Sequence, residues 1–305
     1  NSPASSALMA DIVPERHFAN AASWDSSIGQ LSSVLGPALG GLLIALRHSA
    51  VEVYVVNALA AGIFALLLAL IRAKPGARAV EAATLNSLLA GIGFLRRSPV
   101  LLGAITLDLF AVFLGGAVTL MPIFALDILK VGATGLGILQ AAPAVGAVLM
   151  ALVQTRLPPW RKAGHALLVA VVCFGLATVI FGLSHSFAFS LVALVALGAC
   201  DNVSVIIRHT LLLTRVPNEM RGRIAAVNYV FIGGSNELGG FESGFAAALF
   251  GPILAVVGGG VGTVLVVALV ALKWPELRRM GRLDESSQEA PLAEGAVNVE
   301  PASAR

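Results

Sequence analysis

Residues 164–183 read GHALLVAVVCFGLATVIFGL, twenty positions whose only ionisable side chain, His165, stands at the edge. The hydrocarbon core of a bilayer takes about 20 apolar residues per helix. The stretch shows neither the strand period of two nor an amphipathic helical stripe. Working outward, seven similar blocks appear: 24–46, 51–72, 100–126, 132–154, 187–212, 222–249 and 252–272. In chain order, with 164–183 as the fifth, these are spans one to eight. Backbone groups in lipid are satisfied only in helices or closed barrels, and these blocks are too long for barrel strands. The predicted fold is all-α, a polytopic membrane protein of about eight transmembrane helices.

Composition supports this. The 305 residues are 57% hydrophobic and 12% charged, with mean hydropathy +0.89. Soluble domains carry roughly 25% charged residues. The formal charge of +3 is small and its cations are scattered between apolar blocks, which excludes a nucleic-acid partner. Cys173 and Cys200 lie inside apolar blocks as small buried hydrophobes, and no metal-ligand spacing or disulfide framework is present. The chain opens on Asn1 with no signal peptide before the first block, so a natural N-terminus is expected upstream.

The loops sort by charge. One set carries Arg16; Arg72, Lys74, Arg78, Arg96 and Arg97; Arg156, Arg161 and Lys162; Arg215, Arg221 and Arg223; and Lys273, Arg278, Arg279 and Arg282. The alternate set carries Arg47 and Lys130. The positive-inside rule puts the first set, and the C-terminus, in the cytoplasm. The long inward segment 73–99, with Pro75 and Gly76, is predicted to link two helix bundles. The expected organisation is the end of one bundle over 1–72, a cytoplasmic linker over 73–99, a six-helix bundle over 100–273, and a disordered cytoplasmic tail over 274–305.

Polar residues are shared unevenly among the spans. Span one has Asp25, Ser26, Gln30 and Ser33; span three has Asp108; span four has Gln140. Span six has Asp201, Asn202, Arg208 and His209, and span seven Asn228, Asn236, Glu237 and Glu242. Intramembrane charges face protein or a water-filled cavity. Spans one, three, four, six and seven are therefore predicted to line a cavity, with two, five and eight facing lipid. Every third helix is then peripheral, the signature of a three-helix inverted repeat.

This pattern resembles the major facilitator superfamily, with twelve helices in two halves. Ser32-x3-Gly36-Pro37-Ala38-Leu39-Gly40-Gly41 is similar to the antiporter motif of that family's fifth helix. Asn1–Val13 with Pro14, Glu15 and Arg16 resembles the segment before that helix, and Val216–Arg223 the loop between the tenth and eleventh. Asn236-Glu237-Leu238-Gly239 with Phe241-Glu242-Ser243-Gly244 resembles the eleventh helix of the enterobactin-exporter-like branch. The loop after span four has Thr155-Arg156 where many relatives carry an acidic residue. The resemblance implies that the first four helices are absent. It further implies a chain that is monomeric when full length and sits in a bacterial cytoplasmic membrane.

Several residues carry two readings. Gly36, Pro37, Gly40 and Gly41 form either a gating bend or tight packing. Ser26, Gln30, Ser33 and Pro37 share one helix face, as a cavity wall or as interhelical glue. Gly240-x3-Gly244 and Gly258-x3-Gly262 read as packing. Asp201 and Arg208 share a face about 10 Å apart along the axis, giving either a proton carrier with a gating Arg or a structural ion pair. Asp108 reads equally as cavity lining or an interface cap. Glu237 is deep and lone, which favours function; Glu242, about 140° round the helix, is nearer the outer mouth. Asp108, Asp201 and Glu237 are the proton-coupling candidates, with Arg208 and Glu242 as cavity or gating residues.

No nucleotide-binding word occurs, so the energy source is expected to be an ion gradient. The reading is a proton-coupled antiporter exporting small amphipathic organic molecules, drug-like compounds or siderophores. It needs no cofactor or metal and performs no enzymatic reaction; its partners are substrate, protons and the lipid bilayer. The alternative is a non-transporting membrane fragment, receptor or scaffold derived from such a fold. In a background lacking Cys173 and Cys200, Arg78→Cys and Lys130→Cys should label from opposite sides of the membrane with an impermeant maleimide; labelling from one side only would overturn the eight-span map.

Overall fold

The computed structural model describes residues 51–70, 85–156, 160–216 and 218–281, together with positions 28, 32, 36, 39, 40, 43, 44 and 46 of span one, all helical. Among the described residues no strand occurs. The elements are α1 (Val51–Leu70), α2 (Leu85–Arg97), α3 (Pro99–Leu114), α4 (Ala117–Ile123), a π-helical turn (Phe124–Ile128), α5 (Gly132–Gln154), α6 (Ala163–Leu183), α7 (Phe187–Arg215), α8 (Asn218–Phe250), α9 (Pro252–Lys273) and α10 (Pro275–Arg279). Helices α3, α9 and α10 each start on a proline, where the missing N–H has no intrahelical partner to lose. Gly251 turns the chain between α8 and α9 at φ 86°, a region open to glycine.

Among the described residues, five segments are long and apolar enough to cross a membrane: 99–128, 132–154, 163–183, 187–212 and 252–273. They coincide with spans three to six and eight. Helix α1 coincides with span two and α8 with span seven, whose Glu237, Glu242 and asparagines dilute its apolar character. The structure corrects two boundaries. Part of the segment read as a linker is helix α2, which packs on α8 and α3. The segment read as a polar tail begins with α10, because Trp274, Leu277 and Met280 recur every third residue and pack into the core. Leu277 is fully buried, and the Ala163 N–H donates to the Gly281 carbonyl at 3.2 Å.

The peripheral helices are two-faced. On α6 the exposed positions Val169, Cys173, Leu176, Ile180 and Leu183 form one stripe, while Leu167, Val171, Gly175 and Gly182 are buried. Apolarity all round α6 thus conceals one lipid face and one packing face, a distinction its sequence period does not carry. The core divides in two. One cluster, at the end where the loops are rich in Lys and Arg, includes Leu101, Leu107, Leu167, Ile207, Leu211 and Leu277. The other, toward the opposite end, includes Leu120, Met121, Phe124, Leu139, Phe181 and Leu194, with the Phe124 and Phe181 ring centres 4.7 Å apart.

Close helix approach depends on glycines. Helices α6 and α9 meet at Gly175 and Gly260; α5 and α7 meet where Gly146 faces Val195 and Gly198 faces Pro143. Of the expected Gly240, Gly244, Gly258 and Gly262 set, Gly262 packs closely, against Leu114, while Gly244 and Gly258 face open space; further tight contacts fall to Gly239, against the Phe113 carbonyl, and to Gly259 and Gly260. A methyl group at Gly260 would lie 2.7 Å from the Gly175 carbonyl oxygen. Gly260→Ala should therefore destabilise the bundle by about 1–3 kcal/mol, read as a lowered Tm in detergent, whereas Gly258→Ala should leave Tm unchanged or raised.

Candidate functional site

The structure brings two of the expected acidic residues together and leaves a third apart. Arg208, on α7, turns its guanidinium to the carboxylate of Asp108 on α3, forming a salt bridge. Its Nε donates to Ser204 Oγ at 3.3 Å. Arg208 and Asp108 retain 8% and 6% of their exposure. Ser204 lies one turn before Arg208, so the helix repeat places its hydroxyl under the guanidinium. Arg208 thus pairs across helices with Asp108, where the sequence suggested Asp201 on its own helix. Asp108 itself is buried between the helices.

Asp201 sits at the midpoint of α7 and lines an enclosed cleft with Asp108, Cys200, Ser204, Ala111 and Phe174. The cleft has about 10 Å³ of room for water centres, close to the requirement for a single water molecule. Two carboxylates, one of them paired to Arg208, therefore share a nearly dry space between α3, α6 and α7, where the two halves of the core meet. The neighbouring Asn202 Oδ1 is buried without a hydrogen-bond partner.

Glu237 lies elsewhere. It belongs to an exposed face of α8 that includes Val230, Gly234, Phe241 and Phe245; the two Phe rings stack 6.3 Å apart. Asn236, Gln140 and His209 are also exposed. Glu242 is half-buried and accepts a hydrogen bond from Ser243 Oγ at 3.4 Å. Ser243 in turn packs against Gly116, at a break in span three. There the helical ladder is interrupted: Gly115 N–H reaches Val112, Gly116 N–H reaches Leu114, and Ala117 N–H reaches Gly115. The Gly115-Gly116 pair inside an apolar block was the sign of this break, and Ser204 was findable from its spacing to Arg208.

In span one, Gly36 and Gly40 are helical with open space where a side chain would point. Ser26, Gln30, Ser33, Pro37 and Gly41 lie outside the described residues.

The buried pair yields a stability test. Removing one member of a buried ion pair leaves an uncompensated charge and costs about 3–5 kcal/mol. Asp108→Asn and Arg208→Gln should each lower folded abundance and Tm sharply, while the double variant should lose less than the sum; strict additivity would show that the pair does not hold α3 to α7.

Comparison with known proteins matches this arrangement to one family. Residues 1–240 match the model of the Major Facilitator Superfamily. The chain is 31% identical over 253 residues to the enterobactin exporter EntS of Shigella flexneri, covering 82% of this chain and 59% of that protein. It is 32% identical over 272 residues to the enterobactin exporter EntS of Citrobacter koseri, covering 86% and 63%. The chain thus spans about three-fifths of the length of these relatives. The fold is also similar to the crystal structure of a bacterial homologue of the human lysosomal transporter Spinster, in an inward-facing and unoccupied conformation. That match has a TM-score of 0.63 at 16% identity and covers 90% of this chain and 75% of the other. The apolar helices, their glycine-mediated packing and these matches agree: the chain is an integral membrane protein belonging to the major facilitator superfamily.

Proposed function

We propose that this chain acts in secondary active export of small amphipathic organic molecules of the siderophore type across a bacterial cytoplasmic membrane, driven by proton entry. The cargo class is inferred from the relatives, which are enterobactin exporters. The observation that carries the coupling is the cluster of the buried Asp108 and Arg208 with the half-buried Asp201. One guanidinium offsets one carboxylate, and a second carboxylate in a nearly dry cleft is inexpensive only when it holds a proton. Asp201 is then the proton-binding group, and the Asp108–Arg208 pair positions it. A membrane potential contributes about 2.3 kcal/mol per charge per 100 mV, the drive that such a site draws on.

The exposed polar face of α8, with Asn236 and Glu237, supports a second part of the reading. An exposed carboxylate in the middle of a spanning helix faces water or protein, not hydrocarbon. That face is therefore assigned to the cargo pathway, with Gln140 of α5. Glu237 belongs to the cargo side and Asp201 to the proton side, an arrangement in which the two flows are linked through movement of the helices.

Everted membrane vesicles separate the assignments. Proton-driven accumulation of enterobactin is expected and should collapse with a protonophore. Asp201→Asn should abolish uphill accumulation yet keep downhill exchange. Glu237→Gln should raise the half-saturating cargo concentration several-fold while uphill pumping persists. If Asp201→Asn pumps uphill at the parental rate and normal abundance, Asp201 is not the carrier. Absence of any flux at normal abundance, for siderophore and lipophilic drug alike, would favour the non-transporting alternative.

A further inference from the structure

A groove of about 600 Å³ runs between α3 and α9 at the end of the bundle where the loops are rich in Lys and Arg. Thr106 and Phe110 of α3 form one wall, Val266 and Leu269 of α9 the other, and Lys273 and Trp274 close its end. Apart from Thr106 and Lys273, all its lining residues are apolar. Its outer lips, Phe110 and Leu269, are exposed, so the groove opens sideways, toward the membrane. It is separate from the Asp108 cleft and from the exposed face of α8.

The closed end is built rigidly. The Trp274 side chain lies so near Gly103 of α3 that a methyl group there would come into ordinary van der Waals contact with it, and the Trp274 backbone N–H donates to the Val270 carbonyl at 2.9 Å. The Lys273 ammonium stands 5.0 Å from the centre of the Trp274 ring. Just beyond lie Arg278 and Arg279 of α10, both exposed, and Arg96 and Arg97, exposed at the end of α2 beside the start of α3. The neighbouring carboxylate along the chain is Glu276 of α10, exposed to the surroundings. Among the described residues no carboxylate forms an ion pair with Lys273. The groove therefore has an apolar shaft and a cationic mouth with excess positive charge. Tryptophan and lysine at this level are residues that sit naturally at the headgroup boundary.

We propose that this groove is a binding site for one anionic phospholipid of the cytoplasmic leaflet. Its acyl chain lies along Phe110, Val266 and Leu269, and its phosphate meets the Lys273 ammonium. The selectivity follows from charge. A zwitterionic headgroup brings its own cation into a mouth that already has too many. An anionic one replaces the missing counter-ion, and basic pockets on the cytoplasmic side of helix bundles bind such headgroups. The volume falls within the roughly 300–1,000 Å³ range of sites for small organic ligands.

Trp274 supplies the reporter. The chain has three tryptophans, so Trp24→Phe with Trp160→Phe leaves Trp274 alone. In vesicles doped with lipid brominated on its acyl chains, phosphatidylglycerol should quench Trp274 at a several-fold lower mole fraction than phosphatidylcholine does. Lys273→Gln should erase that difference without changing quenching by phosphatidylcholine. Val266→Phe, which fills the shaft and leaves the cation in place, should weaken quenching by both lipids in a protein whose near-ultraviolet circular dichroism is unaltered. Native mass spectrometry of the unsubstituted full chain should show one phosphatidylglycerol retained in preference to phosphatidylcholine. Equal quenching by the two lipids, or a preference that survives Lys273→Gln, overturns the proposal. Full recovery of fluorescence on adding soluble glycerol phosphate would assign the mouth to a free phosphate and overturn it also.

Discussion

A guanidinium withdrawn from water has to find a carboxylate, and in this molecule Arg208 finds Asp108 on a different helix. Much of the arrangement around it depends on that pairing. It fixes α3 against α7, which otherwise share little apolar contact compared with the pairs α5–α7 and α6–α7. It also commits Arg208 to Asp108, so among the described residues no cation stands within salt-bridge distance of Asp201. A buried ion pair adds little net stability over a well-packed apolar equivalent. What it specifies is geometry: which turn of α3 meets which turn of α7, and hence where the remaining acid sits.

Around this pair the packing is set by contact distance. Lipid tails are as apolar as leucine, so apolar area alone does not drive one spanning helix onto another. Backbone approach at Gly175 with Gly260, and at Gly146 and Gly198, supplies dispersion contacts that a larger side chain would prevent. These approaches lie near the middle of their helices, close to the division between the two halves of the core. The bundle thus consists of two apolar layers with glycine contacts and the charge cluster at their junction.

The sequence discloses the layers of this design to different depths. Block length and the alternation of Lys and Arg reveal the spans because both answer to the bilayer, an environment the same for every residue. The partner of Arg208 is hidden because Asp108 is remote in sequence and helix rotation decides which acid it meets. The same ambiguity displaced the glycine contacts: Gly258 and Gly260 differ by two positions, about 200° of rotation, and only the neighbouring helices settle which one is inside. Leu277 was passed over because an apolar stripe of three residues in a polar run falls below the length at which periodicity speaks. The Gly115-Gly116 break was legible, since adjacent glycines in a spanning helix are among the few causes of a sharp interruption.

That break gives the ion pair a further consequence. Both parts of span three contact α8 and α9, but otherwise they have different neighbours. The part before the break, α3, meets α2, α7 and α10 and carries Asp108. The part after it, α4 with its π-helical turn, meets α5 and α6. Between them the backbone ladder loses its regular bonds at Gly115 and Gly116, where Ser243 of α8 is in contact. A continuous helix would transmit any displacement of Asp108 along its whole length. Here a shift of α7 that carries Arg208 and Asp108 with it can be absorbed at the glycine pair, so the layer around Phe124 and Phe181 keeps its packing. Conversely, movement of α8 acts directly on the break through Ser243, next to Glu242. The charge cluster on one side and the exposed face of α8 on the other are thus connected through a point in span three where the helical ladder is interrupted.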